Sequence, residues 1–215
     1  MIKILERTRT AEKDMPLSKQ IIRTLGIILL GFALGVLQKW MDEMPDNVLP
    51  VILQTLDLRN YFGRFAIWIL LATVISVYSK SPLRATVNTF SFFISMLAGY
   101  YIYCNFVLGF LPRTYMMMWI VISFATPFMA YICWFAKGNG PVAIVISGMI
   151  IGVLFAQAFS IIYGFYVYYA MDVITWLISI VILLRKPRET AMEIGISFVT
   201  ACLYQLFMPY WIGAF

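Results

Sequence analysis

The chain contains no histidine among its 215 residues. Histidine is the usual general base of serine triads, a common zinc ligand and a proton relay near neutral pH. Its absence excludes every mechanism that needs an imidazole. Motifs for a serine nucleophile elbow, a phosphate-binding loop or a zinc protease are missing as well. The sequence therefore favours a protein that is not an enzyme, with no cofactor and no metal ion.

Charged residues are scarce, at 12% of the chain, whereas hydrophobic residues make up 62%. A soluble domain has about a quarter charged residues and about half apolar ones. Water would not solvate such a surface, so we expect the lipid bilayer to be the solvent. The net charge of +6 does not indicate a nucleic-acid partner, because the basic residues lie at the ends of apolar segments and contact lipid headgroups there.

Cysteine is also rare. Cys104, Cys133 and Cys202 all fall inside apolar segments, and their spacing is not that of metal ligands. We interpret them as small side chains that pack between helices, without a disulfide.

Seven apolar segments are long enough, or nearly so, to cross a membrane, for which a helix needs about 20 residues. The sequence therefore predicts an all-α transmembrane bundle. Residues 1–20 form a basic cytoplasmic segment, and residues 21–215 form one transmembrane domain. The predicted spans are Ile21–Leu37, Arg64–Tyr78, Ala85–Phe110, Tyr115–Ala136, Pro141–Ile162, Phe165–Leu184 and Ala191–Met208.

The basic residues predict the orientation of the bundle. Of the 16 lysines and arginines, about twelve fall in the N-terminal segment and in the loops after spans two, four and six, and about four fall in the other loops. This excess places the N-terminus in the cytoplasm and the C-terminus outside the cell.

The longest loop, Gln38–Gly63, follows span one and lies outside. It opens with the acidic residues Asp42, Glu43 and Asp46. Spaced apolar residues between Val48 and residue 58 then predict a short amphipathic helix. Two interpretations remain open: a helix on the membrane surface, or a lid over an outward-facing cavity.

Small residues recur at four-residue spacing in two spans. They let helix backbones approach closely in a membrane, where burial from water no longer drives association. We favour packing within the chain, and docking to another membrane protein or a second copy is the alternative. The residues are Gly31 and Gly35 in span one, and Gly148, Gly152 and Ala156 in span five.

Asp172 is an acid well inside a span, about seven residues from the outer end of span six, or roughly 10 Å deep. A carboxylate there costs about 2.5 kcal/mol or more to insert, so we expect it to face the bundle interior. Tyr168, Thr175, Trp176 and Ser179 continue the same helical face.

Other polar residues also fall in the outer halves of spans, and two interpretations compete. In the first, the aromatic residues form an interfacial belt and the amides bond helices together. In the second, an outward-open pocket favours a cationic or amine-bearing ligand, or a protonatable Asp172 couples a proton to transport. The pocket would be lined by Asp172, Tyr168, Trp176, Tyr101, Asn105, Gln157 and Gln205.

Three segments, Gly31–Asp42, Ala98–Arg113 and Pro127–Gly140, together resemble an uncharacterised family of small bacterial multi-pass membrane proteins. The resemblance covers most of the chain. It implies a bacterial plasma membrane and carries over no activity.

A more distant architectural similarity is to the substrate-binding S-components of energy-coupling-factor vitamin transporters. In those proteins small residues on helix one dock a partner, and the first outer loop covers an outward pocket. Gly31 and Gly35, Gln38–Gly63 and Asp172 would have the corresponding roles here. The chain departs from that pattern in its seven predicted spans, since S-components have six.

The leading hypothesis is a membrane protein that binds or transports a small, cationic solute from the outer face. The second is a regulatory subunit that docks another membrane protein through its small-residue faces. The expected partners are the lipid bilayer, a small-molecule ligand, and a membrane protein or second copy.

Overall fold

A computed structural model describes residues 8–12, 16–45, 50–162 and 164–207. The chain divides into two compact units, which are described separately. The boundary between them falls inside one helix, after Val74, and again after Trp134. The first unit comprises Met1–Thr10, Leu49–Val74 and Phe135–Phe215, and the second comprises Ala11–Val48 and Ile75–Trp134.

Helices account for most of the described chain. They are α1 (Leu17–Asp42), α2 (Val51–Thr55), α3 (Leu58–Tyr61), α4 (Phe65–Val77), α5 (Pro82–Tyr103), α6 (Arg113–Trp134), α7 (Pro141–Ala158), α8 (Ala170–Leu183) and α9 (Pro187–Phe207). A π-helical turn, Cys104–Leu108, extends α5, and a 3-10 turn, Phe135–Lys137, extends α6. Two short strands, β1 (Phe159–Ser160) and β2 (Tyr166–Val167), form an antiparallel pair.

Among the described residues, five helices are long and apolar enough to cross a membrane. These are α1, α5, α6, α7 and α9 with their extensions. Helices α4 and α8 are equally apolar but shorter, with 13 and 14 residues. Each predicted span overlaps one of these seven helices. The architecture therefore agrees with the prediction of an all-α membrane protein.

In the second unit, α5 packs against α1 and α6. The approach to α1 is close enough to require glycine on both helices. A Cβ atom at Gly31 would collide with the carbonyl oxygen of Phe92, and one at Gly35 with that of Met96. A Cβ at Gly99 of α5 would in turn collide with the backbone of α1. The predicted small-residue face of span one therefore lies inside this unit, against α5.

Helix α6 continues through Pro127. A proline cannot donate to the carbonyl four residues earlier, which here belongs to Ser123. The Thr126 hydroxyl donates to that carbonyl at 2.7 Å. The Thr86 hydroxyl of α5 lies 3.3 Å from the carbonyl oxygen of Pro127 and 3.0 Å from that of Pro82 in its own helix. The Thr126 hydroxyl thus takes the place of the helical N–H that proline lacks.

In the first unit, α7 packs against α9 and α8. A Cβ at Gly148 would lie 2.8 Å from the Cβ of Ile196, and one at Gly152 would lie 2.7 Å from the Cβ of Thr200. Ala156 on the same face is 4% exposed. The predicted small-residue face of span five therefore lies against α9.

The structure corrects the break between predicted spans five and six. We expected span five to reach Ile162 and span six to begin at Phe165. Helix α7 instead ends at Ala158 and α8 begins at Ala170, with the β1–β2 pair between them. The intervening residues are mostly aromatic and β-branched, which favours strands. Gly164, with φ of 106°, supplies a conformation in which other residues are strained.

Two short helices, α2 and α3, lie in the loop after span one, where the sequence predicts a single amphipathic helix. Asp57 separates them, because its φ of 51° places it in the left-handed region. Helix α1 extends to Asp42 and shortens the loop. Asp46 and Val48 lie outside the described residues, as do residues 1–7 and 13–15 of the basic N-terminal segment.

Arg185 joins the α8–α9 loop to the end of the 3-10 turn in the first unit. Its Nε donates to Glu193 Oε1 at 2.6 Å, and its Nη1 donates to the Gly138 carbonyl at 2.6 Å. Its Nη2 donates to the carbonyl of Ala136. Glu193 is 1% exposed, so this is a buried ion pair that also satisfies helix-end carbonyls.

Candidate functional site

Helix α8 buries one polar face. Asp172 is 1% exposed and Thr175 and Ser179 are fully buried. The Thr175 hydroxyl donates to the Met171 carbonyl at 2.8 Å, and the Ser179 hydroxyl donates to the Trp176 carbonyl at 2.6 Å. Hydroxyls can be satisfied by their own helix in this way. Asp172 lies in the first turn of α8, which begins at Ala170, and not about seven residues inside the helix as predicted. Its Oδ1 nevertheless accepts no hydrogen bond from the described residues. Asp172 therefore needs a partner from elsewhere in the fold.

That partner is Arg64, at the N-terminal end of α4. Its Nε lies 3.2 Å from Asp172 Oδ2, and its Nη1 lies 2.7 Å from Asp57 Oδ2. The Arg64 side chain is 6% exposed. Asp57, Arg64 and Asp172, which we call the charge triad, carry one positive and two negative formal charges. Arg64 is shared unequally, and Asp172 is the more loosely held of the two acids.

Aromatic rings cover the guanidinium of Arg64. Its carbon lies 3.8 Å from the centre of the Tyr169 ring and 5.8 Å from that of Tyr61. The face of an aromatic ring attracts a cation, most strongly where water is excluded. The triad is therefore held in a partly apolar, aromatic setting.

Tyr61 also bonds directly to α8. Its hydroxyl lies 2.5 Å from the Thr175 hydroxyl. Because the Thr175 proton is already donated to Met171, Tyr61 is the donor. Burial raises the pKa of Tyr61 above its ordinary value, since a phenolate would lose hydration. The phenol therefore stays neutral and keeps its proton for this bond.

Residues 50–64, which we call the covering segment, supply all of these contacts to α8. Its backbone is held at Asp57, whose left-handed conformation is costly for a residue with a side chain. Asn60 Nδ2 donates to Asp57 Oδ1 at 2.7 Å. At the other end, Trp68 Nε1 of α4 donates to the Phe62 carbonyl at 2.7 Å. The segment therefore has a defined shape.

Several buried polar atoms of the first unit have no hydrogen-bond partner within the described ranges. They are Asp172 Oδ1, Arg64 Nε and Nη2, Trp176 Nε1 and Ser160 Oγ. Leaving such a group unpaired costs about 1–3 kcal/mol, and native structures contain few of them. Trp176 follows Asp172 by one helical turn, and its ring lies 5.4 Å from that of Phe159, the neighbour of Ser160.

Two of the predicted pocket residues have other contacts. The Tyr168 ring lies 5.0 Å from the Tyr166 ring, and its backbone N–H donates to the Ala158 carbonyl at 2.9 Å. Gln157 Nε2 donates to the Tyr204 hydroxyl at 3.2 Å, between α7 and α9. Both residues support the end of α7.

Gln205 is occupied by backbone groups. Its Nε2 donates to the carbonyls of Ala156 and Phe159, and its Oε1 accepts from the N–H groups of Ile161 and Ile162. The side chain thus closes the C-terminal end of α7, where helical carbonyls lack partners. Gln205 and Gln157 therefore stabilise the end of α7 and do not belong to the candidate site.

Tyr101 and Asn105 belong to the second unit. The Tyr101 hydroxyl is buried without a hydrogen-bond partner in the described part of the chain. Asn105 is exposed, in the π-helical turn after α5. The structure places Asp172, Tyr168, Trp176, Gln157 and Gln205 in the first unit.

The second unit has its own buried cation, Lys39. Its Nζ lies 2.7 Å from Asp42 and 2.5 Å from Glu43, and 5.8 Å from the centre of the Tyr100 ring. Gln38 beside it donates to the Tyr115 hydroxyl at 3.1 Å, at the edge of a small aromatic cavity. Lys39, Asp42 and Glu43 contribute none of the buried atoms that lack a hydrogen-bond partner in the described part of the chain, so this cluster presents less unmet polar chemistry than the charge triad.

Sequence reasoning missed Arg64, Asp57 and Tyr61. Arg64 contributed to the prediction only as one of the few basic residues on the outer side. A signal was present, because a lone arginine at the start of an apolar span must find a buried partner or reach the interface. Asp172 was the unpaired acid available to it.

Within the ranges described, no group of three or more histidine, cysteine, aspartate or glutamate side chains could hold a metal ion. No protein-family model, curated protein or solved structure matches the chain.

Proposed function

We propose that the chain is a seven-span plasma-membrane protein that binds and transports a small solute with a cationic group from the outer face. Asp172 is the anchor for that group. The observation that carries the proposal is the state of this carboxylate. It is almost fully buried, one oxygen is shared with Arg64, and the other has no hydrogen-bond partner among the described residues.

The lengths of two helices support an outward cavity. With the N-terminus in the cytoplasm, α4 and α8 both begin at the outer side. At about 1.5 Å per residue, their 13 and 14 residues extend for about two thirds of a hydrocarbon core that is about 30 Å thick. The covering segment and the β1–β2 pair precede them. Irregular backbone at membrane depth is tolerated only inside protein or beside a water-filled cavity.

The charge triad allows a cationic solute to bind Asp172 without leaving Arg64 unpaired. Removing one partner from a buried ion pair costs about 3–5 kcal/mol, because a charge is left uncompensated. Arg64 has Asp57 as a second and closer partner, at 2.7 Å against 3.2 Å for Asp172. A cationic solute can therefore take Asp172 while Arg64 stays paired. In this proposal the covering segment is a lid, and Arg64 contacts Asp172 through Oδ2, which leaves Oδ1 for the cationic group of the solute.

The test is uptake of radiolabelled methylammonium, choline and putrescine by proteoliposomes that contain the purified chain. We expect saturable uptake of at least one amine, and a tenfold or greater loss in the Asp172→Asn variant. Glu193→Gln is the matched control, because Glu193 is equally buried and is paired with Arg185. The proposal fails if Asp172→Asn and Glu193→Gln transport alike, or if none of these amines is taken up by the parent chain.

Docking to another membrane protein through the small-residue faces has less support. Gly31 and Gly35 already lie against α5, and Gly148 and Gly152 lie against α9. A partner would have to displace helices of the chain itself to reach them.

A further inference from the structure

We propose that the solute is zwitterionic, with an acidic group adjacent to its ammonium group, as in an α-amino acid. This inference rests on the proposed function and names the class of solute. The ammonium group binds Asp172 Oδ1, and the acidic group binds Arg64 Nη2 and Trp176 Nε1.

The three unpaired atoms differ in whether they accept or donate a hydrogen bond. Asp172 Oδ1 is an acceptor, whereas Arg64 Nη2 and Trp176 Nε1 can only donate. Each of these atoms is buried and lacks a hydrogen-bond partner within the described residues. A simple cation would satisfy the acceptor and leave both donors unpaired. A simple anion would satisfy the donors and leave the buried carboxylate oxygen unpaired. A molecule with both groups satisfies all three atoms.

The side chains that carry these three atoms lie on neighbouring parts of the fold. Arg64 Nε lies 3.2 Å from Asp172 Oδ2, so Nη2 and Oδ1 belong to two side chains already in contact. Trp176 lies four residues after Asp172 on α8, and side chains at that spacing are neighbours on a helix surface. The proposal therefore places one small molecule, with its two charged groups on a single carbon, between these three side chains.

Aromatic rings surround Arg64 and Trp176. Tyr169 lies against the guanidinium, with its ring centre 3.8 Å away. The Trp176 ring lies 5.3 Å from that of Phe155. Ser160, which is fully buried and also unpaired among the described residues, follows Phe159. Aromatic walls around paired charges suit a ligand whose polar end is compact and whose remainder is apolar.

The experiment compares three molecules that share a carbon skeleton. Alanine has both groups, ethylamine lacks the carboxylate and propionate lacks the amine. Phenylalanine, phenethylamine and 3-phenylpropionate form a second set with an aromatic side chain. Binding to the full chain in lipid nanodiscs is measured by equilibrium dialysis of the radiolabelled compounds. We expect the zwitterion of at least one set to bind tenfold or more tightly than the matching amine, and the acid to bind most weakly.

Variants test which side chain binds the ammonium group and which binds the carboxylate. Trp176→Phe keeps an aromatic ring but removes the Nε1 donor, so zwitterion binding should weaken by about tenfold, the loss of one charge-assisted hydrogen bond, while amine binding stays constant. Asp172→Asn should abolish the binding of both. Trp134→Phe is the control, because Trp134 Nε1 donates to the Ser79 carbonyl. The midpoint temperature of thermal unfolding should not fall in Trp176→Phe, since the variant removes a buried donor that lacks a partner within the described ranges.

The outcomes separate the two proposals. If an amine binds as tightly as its zwitterion in both sets and still requires Asp172, the inference is overturned and the proposed function stands. If no compound shows saturable binding, the inference is overturned, and the uptake of methylammonium, choline and putrescine decides the proposed function separately. Equal weakening of amine and zwitterion in Trp176→Phe would also overturn the assigned role of Trp176.

Discussion

The Tyr61 hydroxyl donates to the Thr175 hydroxyl across 2.5 Å, and this bond joins the covering segment to the buried face of α8. The two residues are 114 positions apart in the chain. Both are almost completely buried. The bond is therefore a tertiary contact that must break if the covering segment is to move away from Asp172.

Tyr61→Phe removes this bond and keeps the ring. We expect the free energy of unfolding to fall by about 1 kcal/mol, the net value of one hydrogen bond, because Thr175 still donates to Met171. We also expect faster proteolysis within residues 50–64, measured on the chain in nanodiscs. Tyr78→Phe, at a side chain that is 57% exposed, is the control. Identical proteolysis rates for the two variants would show that the bond does not hold the segment closed.

Arg64→Met should leave Asp172 buried without a counter-charge. We expect a loss of about 3–5 kcal/mol in unfolding free energy, measured by denaturant titration. In the double variant Arg64→Met/Asp172→Asn the uncompensated charge is gone, so more than 1 kcal/mol of that loss should return. Strictly additive single-variant effects would contradict a coupled pair.

Gly35→Ala should destabilise the chain, whereas Gly26→Ala should not. The first added Cβ collides with the backbone of Met96, and the second has no heavy atom within 4 Å. Backbone cannot yield as a side chain can, so we expect about 1–3 kcal/mol of destabilisation at Gly35. At Gly26 we expect a gain of up to about 1 kcal/mol from helix propensity. Thermal unfolding of the two variants, which lie on one helix, checks both values.

Single cysteines test the orientation. In a background without the native cysteines, Gln54→Cys should react with a membrane-impermeant maleimide in intact cells, because the proposed orientation puts the covering segment outside. Arg188→Cys, in the first turn of α9, should react only after permeabilisation, because the proposed orientation puts this end of α9 in the cytoplasm. The opposite pattern would reverse the orientation and remove the outer-face site.

The helices were predictable from the sequence because apolar length alone identifies a membrane helix. The inward face of α8 was predictable too, since Asp172, Thr175 and Ser179 recur at helical spacing and burial of all three is observed. The ends of the helices were less predictable. The strands after Ala158 depend on a local preference that a hydrophobicity pattern does not distinguish from helix.

The partners of the polar residues could not be predicted. Asp172 and Arg64 are far apart in the chain, and charge counting treats an arginine only as a marker of orientation. Gln205 carried the same polar signal as Asp172, yet its amide binds backbone at the end of α7. Whether a polar side chain serves the fold or a ligand depends on which groups surround it, and those are set by tertiary packing.

Asp57 keeps an unfavourable backbone conformation that glycine would relieve, and in return it presents a carboxylate to Arg64. As a result, the covering segment carries its own counter-ion. If the segment moves outward, Asp57 and Arg64 move together as a neutral ion pair. No unpaired charge of the segment then crosses the low-dielectric interior. The energetic barrier to such a motion is then set by hydrogen bonds, by ring contacts and by the loss of the Arg64 contact to the buried Asp172.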